Sequence, residues 1–128
     1  MTSPHDTTKQ PIPIWNVHDG GGNVMLLPQL RGGCHRWRPG WHGRKHSHDG
    51  AVEVFFVVDG ACDFDVDSQL FTLRSGQYVL IPPEVPHELW NRTPHDLLMF
   101  LVVAPHQQPT HTYYDDSNQP IRKQPSLA

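Results

Sequence analysis

The chain has 128 residues, with 10 Lys and Arg against 13 Asp and Glu, which gives a formal net charge of −3. This length suffices for one domain with a hydrophobic core. The charge balance lacks the basic footprint of a nucleic-acid-binding protein, and no apolar stretch reaches the ~20 residues of a membrane helix, so we expect neither partner.

Short strands separated by turn signals account for most of the chain. Residues 1–11 are polar and lack the apolar centre of a secretory signal, so we expect a flexible leader there. Strands are predicted at residues 12–17, 24–27, 34–38, 44–48, 52–58, 62–66, 71–73, 78–81, 88–90 and 97–103. No stretch has the 3.6-residue apolar period of a helix, and closely spaced strands favour an all-β sandwich or barrel.

One barrel domain is therefore predicted over residues 12–115. The Pro-, Gln- and Asp-containing residues 116–128 are expected to form a disordered tail. His111 is interpreted most simply as a solvated loop residue, although the run His-Thr-Tyr-Tyr at 111–114 is an alternative candidate for docking on the barrel.

Residues 40–60 carry three side chains able to bind a metal. His46 and His48 are two positions apart, so on an extended strand they share one face. Glu53 begins the next extended run, after the turn signal Asp49-Gly50. Two antiparallel strands joined at this turn would place an imidazole pair and a carboxylate on the same inner face. The spacing indicates a metal site.

Two stretches together resemble the sequence motifs of the cupin superfamily. The pattern G-x5-H-x-H-x3/4-E-x6-G is matched by Gly40, His46, His48, Glu53 and Gly60, and the pattern G-x5-P-x-G-x2-H-x3-N by Gly76, Pro82, His87 and Asn91. Glu84 stands where the second pattern has Gly, so the shape of this turn is left open, because Gly adopts positive φ more readily than Glu. The resemblance covers residues 40–91 and implies a double-stranded β-helix, or jelly-roll barrel.

The resemblance also implies one divalent first-row metal, held by His46, His48, Glu53 and His87. Three imidazoles and a carboxylate suit Fe(II), Mn(II), Ni(II), Co(II), Cu(II) or Zn(II), among which we favour Fe(II). A six-coordinate metal with four protein ligands keeps two positions for other molecules. The alternative is a barrel that binds a small molecule without a metal. His42, in a Gly-rich loop, is interpreted as a solvated bystander.

The wall of a substrate pocket is predicted from strand parity. Residues that share the face of Glu53 or His87 should point into the barrel. The pocket residues expected are Phe55, Val57 and Leu89, with Tyr78 and Leu80 added because they share one face of their own strand. Plain core packing is the alternative for these side chains. Asn91 precedes a turn and is expected to cap it.

The strand at 34–38 leaves the charge of the pocket open. Cys34, Arg36 and Arg38 share one face, whereas His35 and Trp37 share the other. An inward arginine pair would clamp a carboxylate. We favour the alternative, with Trp37 inside and both arginines in water, because Arg is rarely buried without a partner.

These features predict a metal-dependent enzyme that acts on a small organic molecule. The resemblance favours an oxygenase or dioxygenase reaction, in which Glu53 would alternate between metal ligand and catalytic base. One alternative is a non-redox isomerase, lyase, cyclase or decarboxylase that uses the metal as a Lewis acid. A further alternative is a protein that binds or senses a small molecule without catalysis.

Oligomeric state and location are also predicted. Val54, Phe56, Val58 and Trp90 would point outward and form an apolar surface, which is typical of an interface, so we expect a homodimer. The two cysteines, Cys34 and Cys62, are consistent with reduced thiols and a cytoplasmic protein.

Overall fold

The structure is a computed structural model that describes residues 11–106 and 111–121. The predicted leader, except for Pro11, and residues 122–128 of the predicted tail lie outside the described residues. The described chain has a 3₁₀ helix at Val17–Asp19 and ten strands. The strands are β1 (Met25–Leu26), β2 (Arg31–Trp37), β3 (His42–His48), β4 (Val52–Asp59), β5 (Ala61–Val66), β6 (Gln69–Arg74), β7 (Tyr78–Ile81), β8 (His87–Trp90), β9 (Leu97–Ala104) and β10 (His111–Tyr113).

The strands form two antiparallel sheets of five strands each. The first sheet has the order β1-β2-β9-β4-β7 and the second the order β10-β3-β8-β5-β6. Side chains from both sheets meet in one core, where the ring centroids of Phe55 and Phe64 are 5.4 Å apart. The predicted all-β jelly-roll is confirmed. No helix in the described residues is long and apolar enough to cross a membrane.

The inner face of the first sheet carries a row of four paired residues. Arg31 on β2 lies opposite Val103 on β9, which lies opposite Glu53 on β4, which in turn lies opposite Ile81 on β7. Directly paired residues point to the same face of a sheet, and all four are buried. This row places a carboxylate and a guanidinium inside the barrel.

The second sheet supplies the histidines. On neighbouring strands, His46 of β3 pairs with His87 of β8 and with Tyr113 of β10. His48 pairs with His111 of β10. The β3–β8 pairing shifts register between Gly43 and His46, so the first part of β3 does not continue the alternation of the second.

One strand prediction is wrong at the start of the domain. Residues 12–17 form no strand but lead into the 3₁₀ helix, since Pro11 and Pro13 have no backbone N–H for a ladder. At the start of the predicted tail, the Asp115 side chain accepts hydrogen bonds from the backbone N–H groups of Ser117 and Gln119. The other predicted strands are present with shifted ends.

Glu84 adopts the left-handed conformation that the family pattern assigns to Gly, with φ of 66°. Its backbone N–H donates to the carbonyl of His48 at 2.8 Å. Its side-chain Oε1 accepts from the backbone N–H of Gly50 at 2.9 Å. These two bonds join the turn before β8 to the turn between β3 and β4, and they hold a conformation that a side chain otherwise disfavours.

Asn91 caps the turn after β8, as its sequence position predicts. Its Nδ2 donates to the carbonyls of Trp37, at 3.2 Å, and of His95, at 2.9 Å. Its Oδ1 accepts from the backbone N–H and the hydroxyl of Thr93. Asn91 is fully buried, so water could not replace its side chain as the hydrogen-bond partner of these backbone and hydroxyl groups.

We expect Asn91→Ala to lower the free energy of unfolding by about 2–3 kcal/mol, because buried donors and acceptors lose their partner. Chemical denaturation measures this change, and the melting temperature should fall by roughly 6–15 °C. Gln29→Ala, in an exposed loop, serves as the control and should change stability by less than about 0.5 kcal/mol. Equal effects of the two substitutions would contradict the capping role.

Candidate metal centre

Four side chains from the two sheets meet at one point inside the barrel. His46 and His48 come from β3, Glu53 from β4 and His87 from β8, and one ligand atom of each lies within 4.8 Å of those of the others. His48, Glu53 and His87 are buried, and His46 is partly buried. The structure therefore brings together the four residues predicted from the sequence, in a group that could hold a metal ion.

Backbone carbonyls orient two of the imidazoles. Nδ1 of His46 donates to the carbonyl of Arg44 at 2.7 Å, and Nδ1 of His87 donates to that of Val85 at 3.0 Å. Because a carbonyl can only accept, each Nδ1 carries a proton, and Nε2 is the nitrogen that each ring can offer to a metal. Metal-binding histidines are commonly oriented in this way.

The carboxylate of Glu53 contacts the other two nitrogens. Its Oε1 lies 2.9 Å from Nε2 of His48 and 3.0 Å from Nε2 of His87. Burial alone would raise the pKa of Glu53, but its contacts with His48 and His87 outweigh it and hold this pKa well below its ordinary value. Glu53 is therefore ionised.

The contact between His87 and Glu53 fits a shared cation. Since Nδ1 of His87 already donates to Val85, Nε2 can face a carboxylate oxygen at 3.0 Å only if a second proton or a metal ion lies between them. Neighbouring ligands with metal bonds of about 2.0–2.2 Å are themselves about 3 Å apart. The four residues thus fit a divalent metal in both chemistry and spacing.

The surrounding histidines are neutral. Burial, followed by the charges of neighbouring histidines, lowers the pKa of His46 to about 3 and that of His111 to about 2. Neutral imidazole is the form that binds a metal, so at neutral pH His46 is able to act as a ligand without losing a proton.

β10 adds two residues that sequence reasoning underestimated. His111 is buried, and its ring centroid lies 4.6 Å from that of His46 and 4.4 Å from that of His48. Tyr113 is also buried and lies under the guanidinium of Arg44. The solvated-loop interpretation of His111 is wrong, and the docking alternative is correct. The signal available was the period-two alternation of His111 and Tyr113.

A cavity of about 110 Å³ is lined by two of the four residues, His46 and Glu53. Most of its wall is apolar or aromatic. This part of the wall consists of Trp37, Trp41, Phe55, Leu89 and Leu101, with Gly43. The indole rings of Trp37 and Trp41 stack with centroids 3.9 Å apart. Both rings also line a wider surface depression of about 410 Å³, which gives the site an entrance.

The structure places the predicted pocket residues in different surroundings. Phe55 and Leu89 line the cavity. Val57 is fully buried in the core and does not line it. Tyr78 and Leu80 are 71% and 56% exposed on the outer face, because β7 presents Val79 and Ile81 to the inside. Alternation divides β7 into two faces, but the sequence contains no residue on this strand that marks which face points inward.

On β2, Trp37 points inward and Arg36 and Arg38 point outward. Trp37 and His35 line the cavity. Arg36 is exposed and donates to the carbonyl of His18, and Arg38 is exposed as well. A different arginine is inside: Arg31, which shares the face of His35 and Trp37 but lies before the strand that we predicted.

His42 stays outside the group, in keeping with its interpretation as a bystander. Its Nε2 lies 2.6 Å from a carboxylate oxygen of Glu88, and its ring stacks on Trp90. The register shift in β3 separates it from the inward alternation of His46 and His48.

Comparisons with known proteins agree with this fold. The family model of the cupin domain matches residues 34–103, more than half of the chain. A protein named polyketide synthase CurC, from Streptomyces cyaneus, is 31% identical over 68 residues, which are 53% of this chain and 44% of that protein. Protein SchB from Streptomyces halstedii is 34% identical over 79 residues, covering 56% of this chain and 57% of that protein.

The chain thus spans about half the length of the curated relatives it matches. Among solved structures, the protein TT1209 from Thermus thermophilus superposes with a TM-score of 0.69 at 19% identity. The superposition covers 73% of this chain and 98% of that one, and it shows a shared fold.

We expect the purified protein to take up one equivalent of a first-row divalent metal, and His48→Ala or His87→Ala to lose most of it, since each removes one of four donors. Elemental analysis after dialysis against Fe(II), Mn(II), Ni(II) or Zn(II) measures the uptake. His42→Ala, on the same strand but outside the group, is the matched control and should retain the metal. Uptake of none of these ions by the unaltered protein would contradict the site.

Proposed function

This chain belongs to the cupin family, and we propose that it is a metal-dependent enzyme that acts on a small organic molecule inside the barrel. The observation that supports the proposal most directly is the position of the four potential ligands. Two of them, His46 and Glu53, line an apolar cavity, so a molecule held by the cavity wall would lie against this edge of the group.

We propose an oxygenase or dioxygenase reaction as the first choice, with Fe(II) held by His46, His48, Glu53 and His87. A metal bound by such a nitrogen and oxygen set supplies redox and Lewis-acid chemistry. The rings of Trp37, Trp41 and Phe55 would exclude water from the bound molecule and orient it.

Glu53 serves chiefly to hold the metal in this proposal. A carboxylate whose pKa lies well below its ordinary value is a weak base, since basicity follows the pKa. A catalytic role as base would require Glu53 to leave its contacts with His48 and His87. His111 and Tyr113 line the entrance.

Two other functions are compatible with the same site. A non-redox enzyme would use the metal as a Lewis acid and would work equally well with Zn(II). A binding or sensing protein would use the cavity without turnover. The name of one relative, polyketide synthase CurC, makes phenols and β-diketones of polyketide type the first molecules to test.

We also propose that the protein is a homodimer in the cytoplasm. Tyr78 and Leu80, together with Phe56, which is 37% exposed, form an apolar patch on the outer face of β4 and β7. Trp90 lies on the second sheet under the guanidinium of Arg92, so it belongs to a different surface. Both cysteines are buried free thiols, which suits a reducing compartment.

For the reaction, we expect Fe(II)-loaded protein to consume oxygen with a phenol or β-diketone, and the Zn(II)-loaded form to be inactive. An oxygen electrode combined with product analysis measures both. Phe55→Ala should lower kcat/KM by at least about tenfold, because it removes a wall of the cavity, as measured against one chosen substrate.

Val57→Ala is the matched control, because it lies on the same strand face but away from the cavity. It should reduce stability with a smaller effect on kcat/KM. Turnover that is equal with the two metals would favour the Lewis-acid alternative instead. Binding of these molecules without any turnover would favour a binding protein.

For the dimer, we expect light scattering at micromolar concentration to report twice the chain mass. Leu80→Glu should shift the protein to the monomer, because a carboxylate would be buried in the interface. Leu70→Glu, on the second sheet and also exposed, is the control and should leave the dimer intact. A monomeric parent protein would contradict the proposal.

A further inference from the structure

We infer that Arg31 is the anchor for an anionic oxygen group of the molecule that the cavity binds, so that the ligand is a small aromatic or unsaturated carboxylate. This inference deepens the proposed function and rests on it for the role of the cavity. It begins from the side chain of Arg31, which lines the cavity together with Glu53 and Phe55.

Arg31 is a buried cation with no hydrogen-bond partner among the described residues. It is only 1% exposed, and its buried Nε has no hydrogen-bond partner. Within residues 11–106 and 111–121, its side chain makes no hydrogen bond or salt bridge. Burial lowers the pKa of Arg31, while Glu53 and Tyr113 oppose this, but a guanidinium remains charged in proteins. A buried charge is normally paired, so this guanidinium is suited to binding an anionic group of a ligand.

Glu53 is not that anion. Its Oε1 is engaged by His48 and His87. Moreover, Arg31 and Glu53 both pair with Val103, on opposite sides of β9. Their backbones are therefore two strand spacings apart, about 9–10 Å. Glu53 therefore acts on Arg31 only through its charge, which opposes the lowering of the pKa of Arg31 by burial, and the two side chains make no hydrogen bond with each other.

The backbone holds Arg31 rigidly in this place. The two residues after it, Gly32 and Gly33, lie where neighbouring backbones approach very closely. A Cβ on Gly32 would come within 2.4 Å of the carbonyl oxygen of Leu101, and one on Gly33 within 1.9 Å of that of Gly22. β2 is thus fixed from both sides immediately beyond Arg31, which suits a positioned binding group.

The rest of the cavity defines the ligand class. Guanidinium groups bind carboxylates with two parallel hydrogen bonds. The remaining wall is largely the rings of Trp37, Trp41 and Phe55, which match a flat apolar body. The volume of about 110 Å³ is of the order of apolar cavities that accept benzene. Benzoate therefore combines the required features in a simple probe.

The test measures the binding of benzoate and of neutral benzamide by isothermal titration calorimetry. Metal-free protein, prepared with a chelator, is used first, so that the carboxylate cannot bind through a metal. We expect benzoate to bind at least about tenfold more tightly than benzamide, and Arg31→Gln to remove that preference. Arg36→Gln, which changes an exposed arginine of the same strand, is the control and should bind benzoate normally.

Melting temperatures separate binding from a structural role. Arg31→Gln should melt at the same temperature as the parent or higher, because no partner loses a bond and an unpaired buried charge is removed. Benzoate should raise the melting temperature of the parent but not that of the variant. Arg31→Lys, which keeps the charge without the planar fork, should keep part of the preference and replaces Arg31→Gln if that variant does not fold.

Equal affinities for the two probes, no binding of benzoate, or unchanged binding by Arg31→Gln would each overturn the inference. A large loss of stability in Arg31→Gln without a loss of benzoate preference would do the same. None of these results depends on turnover. Failure of the proposed reaction would therefore be visible separately, as an inactive metal-loaded protein that still prefers benzoate.

Discussion

The site depends on one contact between the two sheets, in which a single carboxylate oxygen of Glu53 faces Nε2 of both His48 and His87. Glu53 belongs to the first sheet and the histidines to the second, so this contact exists only while the sheets keep their relative position. The packed layer beside it, including Phe55 against Phe64, maintains that position. The packed core of this barrel therefore also holds the four potential metal ligands in place.

The two sheets contribute different side chains to the site. The second sheet provides the imidazoles and turns two of them with backbone carbonyls, whereas the first provides the charged groups Glu53 and Arg31 on either side of Val103. A molecule in the cavity would touch both sheets. The potential metal ligands and the cavity thus lie together where the sheets face each other, and the outer faces are separate from them.

Much of this arrangement is predictable from local spacing. The positions of His46, His48, Glu53 and His87 follow from alternation and from two motifs, and Asn91 is recognisable as a cap from the turn that follows it. Arg31 is not recognisable in this way, and the alternation of His111 and Tyr113 is only a weak signal, because both positions matter through pairing with strands distant in sequence. The same limit placed Tyr78 and Leu80 inside, since nothing near them in sequence tells which face of β7 is covered. Alternation in the sequence shows which residues share a face of a strand, but only the assembled sheets show which face points into the core.

Glu84 shows that this turn requires a backbone conformation rather than a particular residue. Its φ of 66° is the one that glycine adopts at low cost, and for other residues it costs about 1–2 kcal/mol. The hydrogen bond from Gly50 to its carboxylate offsets part of that cost, which glycine itself could not do. A search pattern that demands glycine here would pass over this chain, although its backbone meets the requirement. Patterns for such turns would be more faithful if they were written in dihedral angles, with an acidic side chain accepted wherever an unpaired backbone N–H lies within its reach.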